Sequence, residues 1–276
     1  FPINDSIELY VDFEMDGTFV NDFLYCTFRI GLLEEIIKFL PFLILLLVKP
    51  SIFVNPIDYI VIICVSALGF SATENYFYFT NYGPSIIDGR AIMASIGHMC
   101  DSALIGYAFV LNRFYYKRFR IEVVLLLLFF AAFSHGFYDF WLFYKKLGSY
   151  TWIITYLYYL VTISFFATIL SNSLNNAPNF SYKNIVDSES ILKRILLYYI
   201  IIFVFQTVLV SFDEGLRFAL SHLFISMLLL MPIILIVSIR LTRFNQVKGR
   251  WLRLKFELPF KLRSTRNVTY GIPVAA

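Results

Sequence analysis

The chain has 276 residues, 59% of them hydrophobic and only 15% charged, with a formal net charge of +4 and a mean hydropathy of +0.72. A soluble domain carries about 25% charged residues. A water-soluble globular enzyme is therefore excluded, and an all-α polytopic transmembrane helix bundle is expected.

Seven apolar spans are expected, at residues 23–48, 57–79, 90–112, 121–144, 149–171, 191–211 and 217–239. Each is near the roughly 20 residues that a helix needs to cross the hydrocarbon. Pro41 and Pro232 fall inside spans, where neighbouring helices can re-satisfy the backbone groups a proline frees. Cys26, Cys64 and Cys100 sit in apolar segments without metal-ligand spacing and read as small buried hydrophobes. The chain begins at Phe1 without a signal-peptide pattern, which is compatible with a processed piece of a longer protein and leaves an upstream span open.

Charge sets the expected sidedness, because basic loops stay in the cytoplasm. The stretch before the first span is acidic (Asp5, Glu8, Asp12, Glu14, Asp16, Asp22), whereas the loop after the third holds Arg113, Lys117, Arg118 and Arg120. Lys183, Lys193 and Arg194 follow the fifth span, and a basic run from Arg240 to Arg266 follows the seventh. By parity these basic segments share one side, with Lys145 and Lys146 dissenting. The expected layout is an extracytoplasmic segment 1–22, a four-helix catalytic core 23–144, three further transmembrane helices 145–239 and a basic cytoplasmic tail 240–276. From Arg250 to Arg263 the tail alternates apolar and charged residues at a strand period. It reads as lying on an anionic leaflet, because Pro259 would interrupt a central strand.

Polar residues crowd into the first four spans. They are Glu34, Glu35 and Lys38; Glu74 and Asn75; Arg90, His98 and Asp101; and His135 and Asp139. An ionised side chain near the middle of a membrane helix costs about 2.5–3.5 kcal/mol on insertion scales, and such groups are functional candidates by default. Glu34 and Lys38 are i,i+4 and can pair, with Glu35 turned about 100° away. His135 and Asp139 are i,i+4 and His98 and Asp101 are i,i+3, so each carboxylate can orient its imidazole. Arg90 and Arg29 read equally as snorkelling to the interface and as facing a substrate. Counted from the outer end of each span, Glu35 lies about twelve residues in, Glu74 about five, His98 about eight and His135 about nine. At about 1.5 Å per residue these fall in one layer about 10 Å thick, in the outer half of the bilayer. The pattern fits one site that opens to the extracytoplasmic side.

Peptide hydrolysis needs an activated water and stabilisation of a developing oxyanion. Two arrangements fit. In one, Glu74, His98 and His135 hold a metal such as zinc, with Glu34 or Glu35 as general base. In the other there is no metal: a glutamate activates water and a histidine stabilises the oxyanion. No HExxH motif is present.

The ordered segments EEIIK (34–38), GFSATENYFYF (69–79), GHMCDSALIGYAF (97–109) and SHGFYDF (134–140) resemble the PrsW family of intramembrane proteases. That family belongs to a superfamily with the CAAX prenyl proteases and bacteriocin-processing proteins. The shared pattern is a di-glutamate, then FxxxH or FxxxE, then HxxxN or HxxxD; here these are Glu34-Glu35, Phe70 with Glu74, and His135 with Asp139. Lys38, the Glu74-Asn75 pair and the His98 motif after Arg90 point to the PrsW branch. The resemblance covers residues 23–144. It implies cleavage of a membrane-anchored protein substrate on the extracytoplasmic side, of the site-1 type exemplified by an anti-sigma factor, in a bacterial cytoplasmic membrane. It leaves zinc and a metal-free glutamate mechanism both open. No nucleic-acid partner is expected. The competing classes are a proton-coupled transporter, a non-catalytic scaffold and a CAAX prenyl protease proper. The first would show internal repeats, which the halves lack. The second would tolerate loss of part of the polar set. The third would want a cytoplasm-facing site and histidine in place of Glu74.

Overall fold

The computed structural model describes residues 14–144, 148, 150–178, 187–242 and 247–253. Among them there are only helices and loops. The elements are α1 (Phe19–Leu24), a π-helical turn at Tyr25–Gly31, α2 (Leu32–Val48), α3 (Pro56–Tyr82), a π-helical turn at Gly89–Ala94, α4 (Ser95–Val110), a third at Leu111–Tyr115, α5 (Ile121–Phe143), α6 (Thr151–Asn175), α7 (Ser188–Glu214) and α8 (Leu216–Leu241). Six helical runs are long and apolar enough to cross a membrane: Pro56–Tyr82, Pro84–Tyr115, Ile121–Phe143, Tyr150–Asn175, Ser188–Glu214 and Leu216–Leu241. The first expected span differs in kind. It is unbroken from Phe19 to Val48, but Asp22, Arg29, Glu34, Glu35 and Lys38 interrupt its apolar surface. The protein is an all-α polytopic bundle.

Local chemistry places the boundaries. At the start of α3, Pro56 occupies the first turn, where its missing N–H costs nothing, and the Asn55 N–H donates to Asp58 Oδ2 at 2.6 Å in a capping box. Gly83 (φ +76°) ends α3, and Gly215 (φ +88°) separates α7 from α8. Both conformations suit glycine because it lacks a Cβ. Asp187 caps α7 by accepting from the N–H groups of Glu189 and Ser190.

Two glycine contacts bring backbones together. A Cβ on Gly31 would lie 2.5 Å from the Ala132 carbonyl oxygen and 3.0 Å from the Gly136 nitrogen; one on Gly136 would lie 2.6 Å from the Thr27 nitrogen. The π-helical turn at Tyr25–Gly31 therefore rests directly on α5, in the small-residue mode of membrane helix packing. Gly106 does the same between α3 and α4, where a Cβ would meet Ile63 Cγ2 at 2.8 Å and the Tyr59 carbonyl at 3.1 Å. An aromatic cluster of Phe42, Phe53, Tyr59 and Phe109 closes one end of α2–α4. Arg113 pins it by donating to the Phe53 carbonyl at 2.9 Å and the Tyr59 hydroxyl at 2.7 Å. Cys26, Cys64 and Cys100 are free thiols, all buried, as expected of small hydrophobes.

The later helices buttress this core. Gln206 on α7 donates to the Ser85 carbonyl at 3.0 Å, steadying the loop ahead of Arg90. Residues 247–253 fold back on the end of α6. There Asn172 donates to the Leu252 carbonyl (2.9 Å) and accepts from its N–H (2.6 Å), and the Gly249 N–H donates to the Asn175 carbonyl at 2.7 Å. The alternating tail beyond Arg253, and Lys145 and Lys146, lie outside the described residues.

The α5 contact has a direct test. Gly136→Leu is expected to lower stability by about 3 kcal/mol or more, because backbone rather than a flexible side chain must move. Gly69→Ala, whose Cβ meets nothing within 4 Å, is expected to hold or raise the melting temperature in detergent. Equal melting of the two variants would contradict the packing described.

Candidate active site

α2, α3, α4 and α5 converge on one buried polar cluster. Lys38 stands at its centre, with 1% of its surface exposed. Its Nζ donates to Glu35 Oε1 at 2.8 Å and to His98 Nδ1 at 2.8 Å, and lies 3.3 Å from His135 Nδ1 and 3.4 Å from Glu34 Oε2. Helical spacing explains the double reach. Lys38 is three residues after Glu35 and four after Glu34, and both offsets lie on one helix face. The expected Glu34–Lys38 pair is present, but the closer partner is Glu35, about 100° around the helix from Glu34. A long flexible ammonium spans the angle between two consecutive carboxylates.

Glu35 is fully buried and fully engaged. Its Oε2 accepts from Ser102 Oγ at 2.7 Å, and its Oε1 lies 3.0 Å from His135 Nδ1. Glu34 differs. Its Oε2 makes no hydrogen bond; it has only ion-pair approaches, at 3.3 Å to His135 Nε2 and 3.4 Å to Lys38. A buried acceptor without a donor calls for an explanation, and Glu34 borders a groove between α2 and α3 of about 580 Å³.

The two histidines sit side by side, ring centroids 5.0 Å apart. An ammonium can only donate, so His98 accepts at Nδ1 and presents its Nε2–H to Glu74 Oε2 at 2.9 Å. Glu74 is also held by Arg90 Nη2 at 2.6 Å. Arg90 in turn donates from Nε to Asn75 Oδ1 at 2.8 Å and lies over the Tyr78 ring at 4.0 Å. Arg90 thus belongs to the cluster and does not reach away from it. Asp139 Oδ2 stands 3.3 Å from His135 Nε2, as the i,i+4 spacing predicts.

Two expectations differ from the structure. Asp101 does not orient His98; it accepts from the Tyr158 hydroxyl on α6 at 3.1 Å, because Glu74 on the neighbouring helix already takes the His98 Nε2–H. Glu74, expected as a metal ligand beside the histidines, is absent from both compact donor groups found among the described residues. These are Glu34–His98–His135 and Glu35–Asp101–His135, with donor atoms within 4.8 Å of one another. The Glu74 carboxylate is instead shared between His98 Nε2 and Arg90. Ser102 and Tyr158 join the site without a sequence signal. Ser102 is a small hydroxyl residue that an apolar stretch tolerates cheaply, and Tyr158 is one of 19 tyrosines. His222 lies elsewhere, near Ser226 at 3.3 Å.

The first group, one carboxylate and two imidazoles, is an ordinary catalytic zinc set. The cluster as a whole offers a proton acceptor at a groove, oriented imidazoles and buried cations, the parts that amide hydrolysis requires. Comparison with known proteins points the same way. Residues 3–169 match the family model described as PrsW family intramembrane metalloprotease. Searches of curated proteins and of solved structures return no match. The match spans more than half of the chain and takes in every residue of the cluster: the chain belongs to the PrsW family of intramembrane metalloproteases, integral membrane peptide hydrolases that act on membrane proteins.

Proposed function

We propose that the chain cuts a membrane-anchored protein with water activated at the Glu34–Glu35 pair. The observation that carries this reading is the asymmetry of the two carboxylates. Glu35 is tied to Lys38 and Ser102, while Glu34 makes no hydrogen bond through Oε2 and is the one of the two that borders the α2–α3 groove. Glu34 takes a proton from water, whose oxygen attacks the scissile carbonyl carbon. Lys38, a donor 3.4 Å from Glu34, is positioned to stabilise the oxyanion that forms. As the tetrahedral species collapses, the C–N bond breaks and the protonated Glu34 returns its proton to the leaving nitrogen. Glu35 holds Lys38, Glu74 holds His98, and Asp139 holds His135, so each group meets the reaction already oriented.

A zinc-like ion suits the same place. The unbonded Glu34 oxygen and the two imidazoles supply the donor chemistry, and Lys38 already stands among them as a cation. Glu34, His98 and His135 would hold such an ion once Lys38 withdrew, and Glu35 would be the carboxylate left for the proton. The ion would supply a polarised water.

The acidic stretch before α1 and the basic residues after α4 and α8 support a site facing the extracytoplasmic side with the C-terminal tail in the cytoplasm. In this reading residues 23–144 are the catalytic core, 145–239 its buttress, and the setting is a bacterial cytoplasmic membrane. The substrate is a single-pass regulator of the anti-sigma type, cut outside its span.

Replacing Glu34 with glutamine is expected to reduce new extracytoplasmic N-termini in the membrane proteome by about 10²–10⁴-fold relative to wild type at matched expression. Unchanged N-termini with a folded variant would reject the assignment. Lys38→Met is expected to bind zinc about tenfold or more tightly than wild type in competition titration of purified protein, because a like charge leaves the donor centre. Unchanged zinc affinity would show that the ammonium does not hold the ion's place.

A further inference from the structure

Among the described residues, two grooves run from the bundle surface toward the cluster. The larger, about 690 Å³, lies between α5 and α6 and is lined mainly by Leu104, Leu127, Phe133, Leu157 and Phe165. It reaches the cluster at Asp101 and at Tyr158, whose hydroxyl donates to that carboxylate at 3.1 Å. The smaller, about 580 Å³, runs between facing stripes of α2 and α3 and is bordered by Glu34, Lys38 and Glu74 themselves. Of the two, it is the one that opens onto the groups that carry out the chemistry proposed above.

Its walls have two features that helix stability does not explain. Gly69 lies in the middle of α3, and a Cβ there would meet nothing within 4 Å. Glycine inside a helix is destabilising relative to alanine. Gly31, Gly106 and Gly136 are each demanded by a helix pressed against them, whereas Gly69 answers to no protein neighbour. What it leaves is space, with the small residues Ser66 and Thr73 above and below it on the same stripe. The second feature is Pro41 on α2, opposite that stripe. Proline has no N–H, so the Ile37 carbonyl one turn earlier loses its ordinary helical donor. Ile37 and Pro41 both line the groove. In a lipid setting such a carbonyl is suited to a donor from outside its own helix.

We infer that the α2–α3 groove receives the substrate polypeptide as an extended segment, whose backbone N–H donates to the Ile37 carbonyl and whose side chain near the scissile bond occupies the space above Gly69. This inference rests on the hydrolase reading and adds the substrate's conformation and route. A helical segment cannot fill the role, because its own backbone groups are already paired. An extended one brings free N–H groups to the Ile37 carbonyl, for which its own helix has no N–H at position 41, and presents a bare peptide bond to Glu34. Gly69 then limits the side chain that fits beside the cut.

The test compares membrane-proteome N-termini from cells making wild type, Glu34→Gln, Gly69→Phe, Pro41→Ala or Leu157→Trp at matched levels, with melting of each purified protein. Gly69→Phe fills the α2–α3 groove, and Leu157→Trp, at an exposed position, fills the other. Expected for Gly69→Phe is a loss of Glu34-dependent N-termini of about a hundredfold at wild-type melting temperature. Expected for Leu157→Trp is a yield within about twofold of wild type. Pro41→Ala restores the helical donor, so it should melt at an equal or higher temperature while yielding less product, a split that a purely structural proline would not give. If Gly69→Phe does not fold, Thr73→Trp on the same exposed stripe takes its place. Retained cleavage with the groove filled, or loss in Leu157→Trp, overturns the inference while leaving the hydrolase reading intact. No Glu34-dependent N-termini in wild type would instead remove the hydrolase reading, and this inference with it.

Discussion

The ammonium of Lys38 is buried to 1% exposure among Glu34, Glu35, His98 and His135. Removing such a charge from water costs several kcal/mol unless partners surround it. Those partners come from three helices, α2, α4 and α5, and a fourth, α3, joins through Glu74 and His98. The charge thus acts as a geometric constraint. Only a bundle that brings these helices together at one depth satisfies it, and any rearrangement that separates them leaves a charge stranded.

Close backbone approach makes that convergence achievable. Gly31 stands one turn before Glu34 and Glu35, and Gly136 directly follows His135. Where those glycines meet, the glutamates and the imidazole are delivered to each other. Gly106 performs the corresponding service for α3 and α4, four residues after Ser102. The later helices act at a distance: Tyr158 holds Asp101 from α6, and Gln206 steadies the loop before Arg90 from α7.

Much of this was legible in the sequence. Apolar length located the spans, because a bilayer imposes it, and charged residues inside those spans marked the site, because lipid makes them costly. The i,i+4 spacing correctly anticipated Glu34–Lys38 and His135–Asp139. It misled for His98 and Asp101, since spacing along one helix says nothing of a stronger partner on the next. Ser102 and Tyr158 were illegible for a similar reason: a hydroxyl is inexpensive in a helix and acquires meaning only from what packs opposite it. The π-helical turns were equally hidden, because their cause is tertiary.

The Glu35–Lys38 pair has a meaning for how the protein is made. Synthesis runs from the N-terminus at about 5–20 residues per second, so α2 reaches the bilayer before α4 and α5 exist. His98 and His135 are then unavailable, and an ionised side chain left alone at that depth would cost about 2.5–3.5 kcal/mol. The countercharge at hand is Lys38, on the same helix and already within 2.8 Å of Glu35 in the finished fold. An internal pair lets the nascent helix travel partly neutralised and exchange that provisional arrangement for the four-helix cluster when the later spans arrive. The spacing that builds the reactive centre thereby also lets its first helix be threaded into lipid unaccompanied.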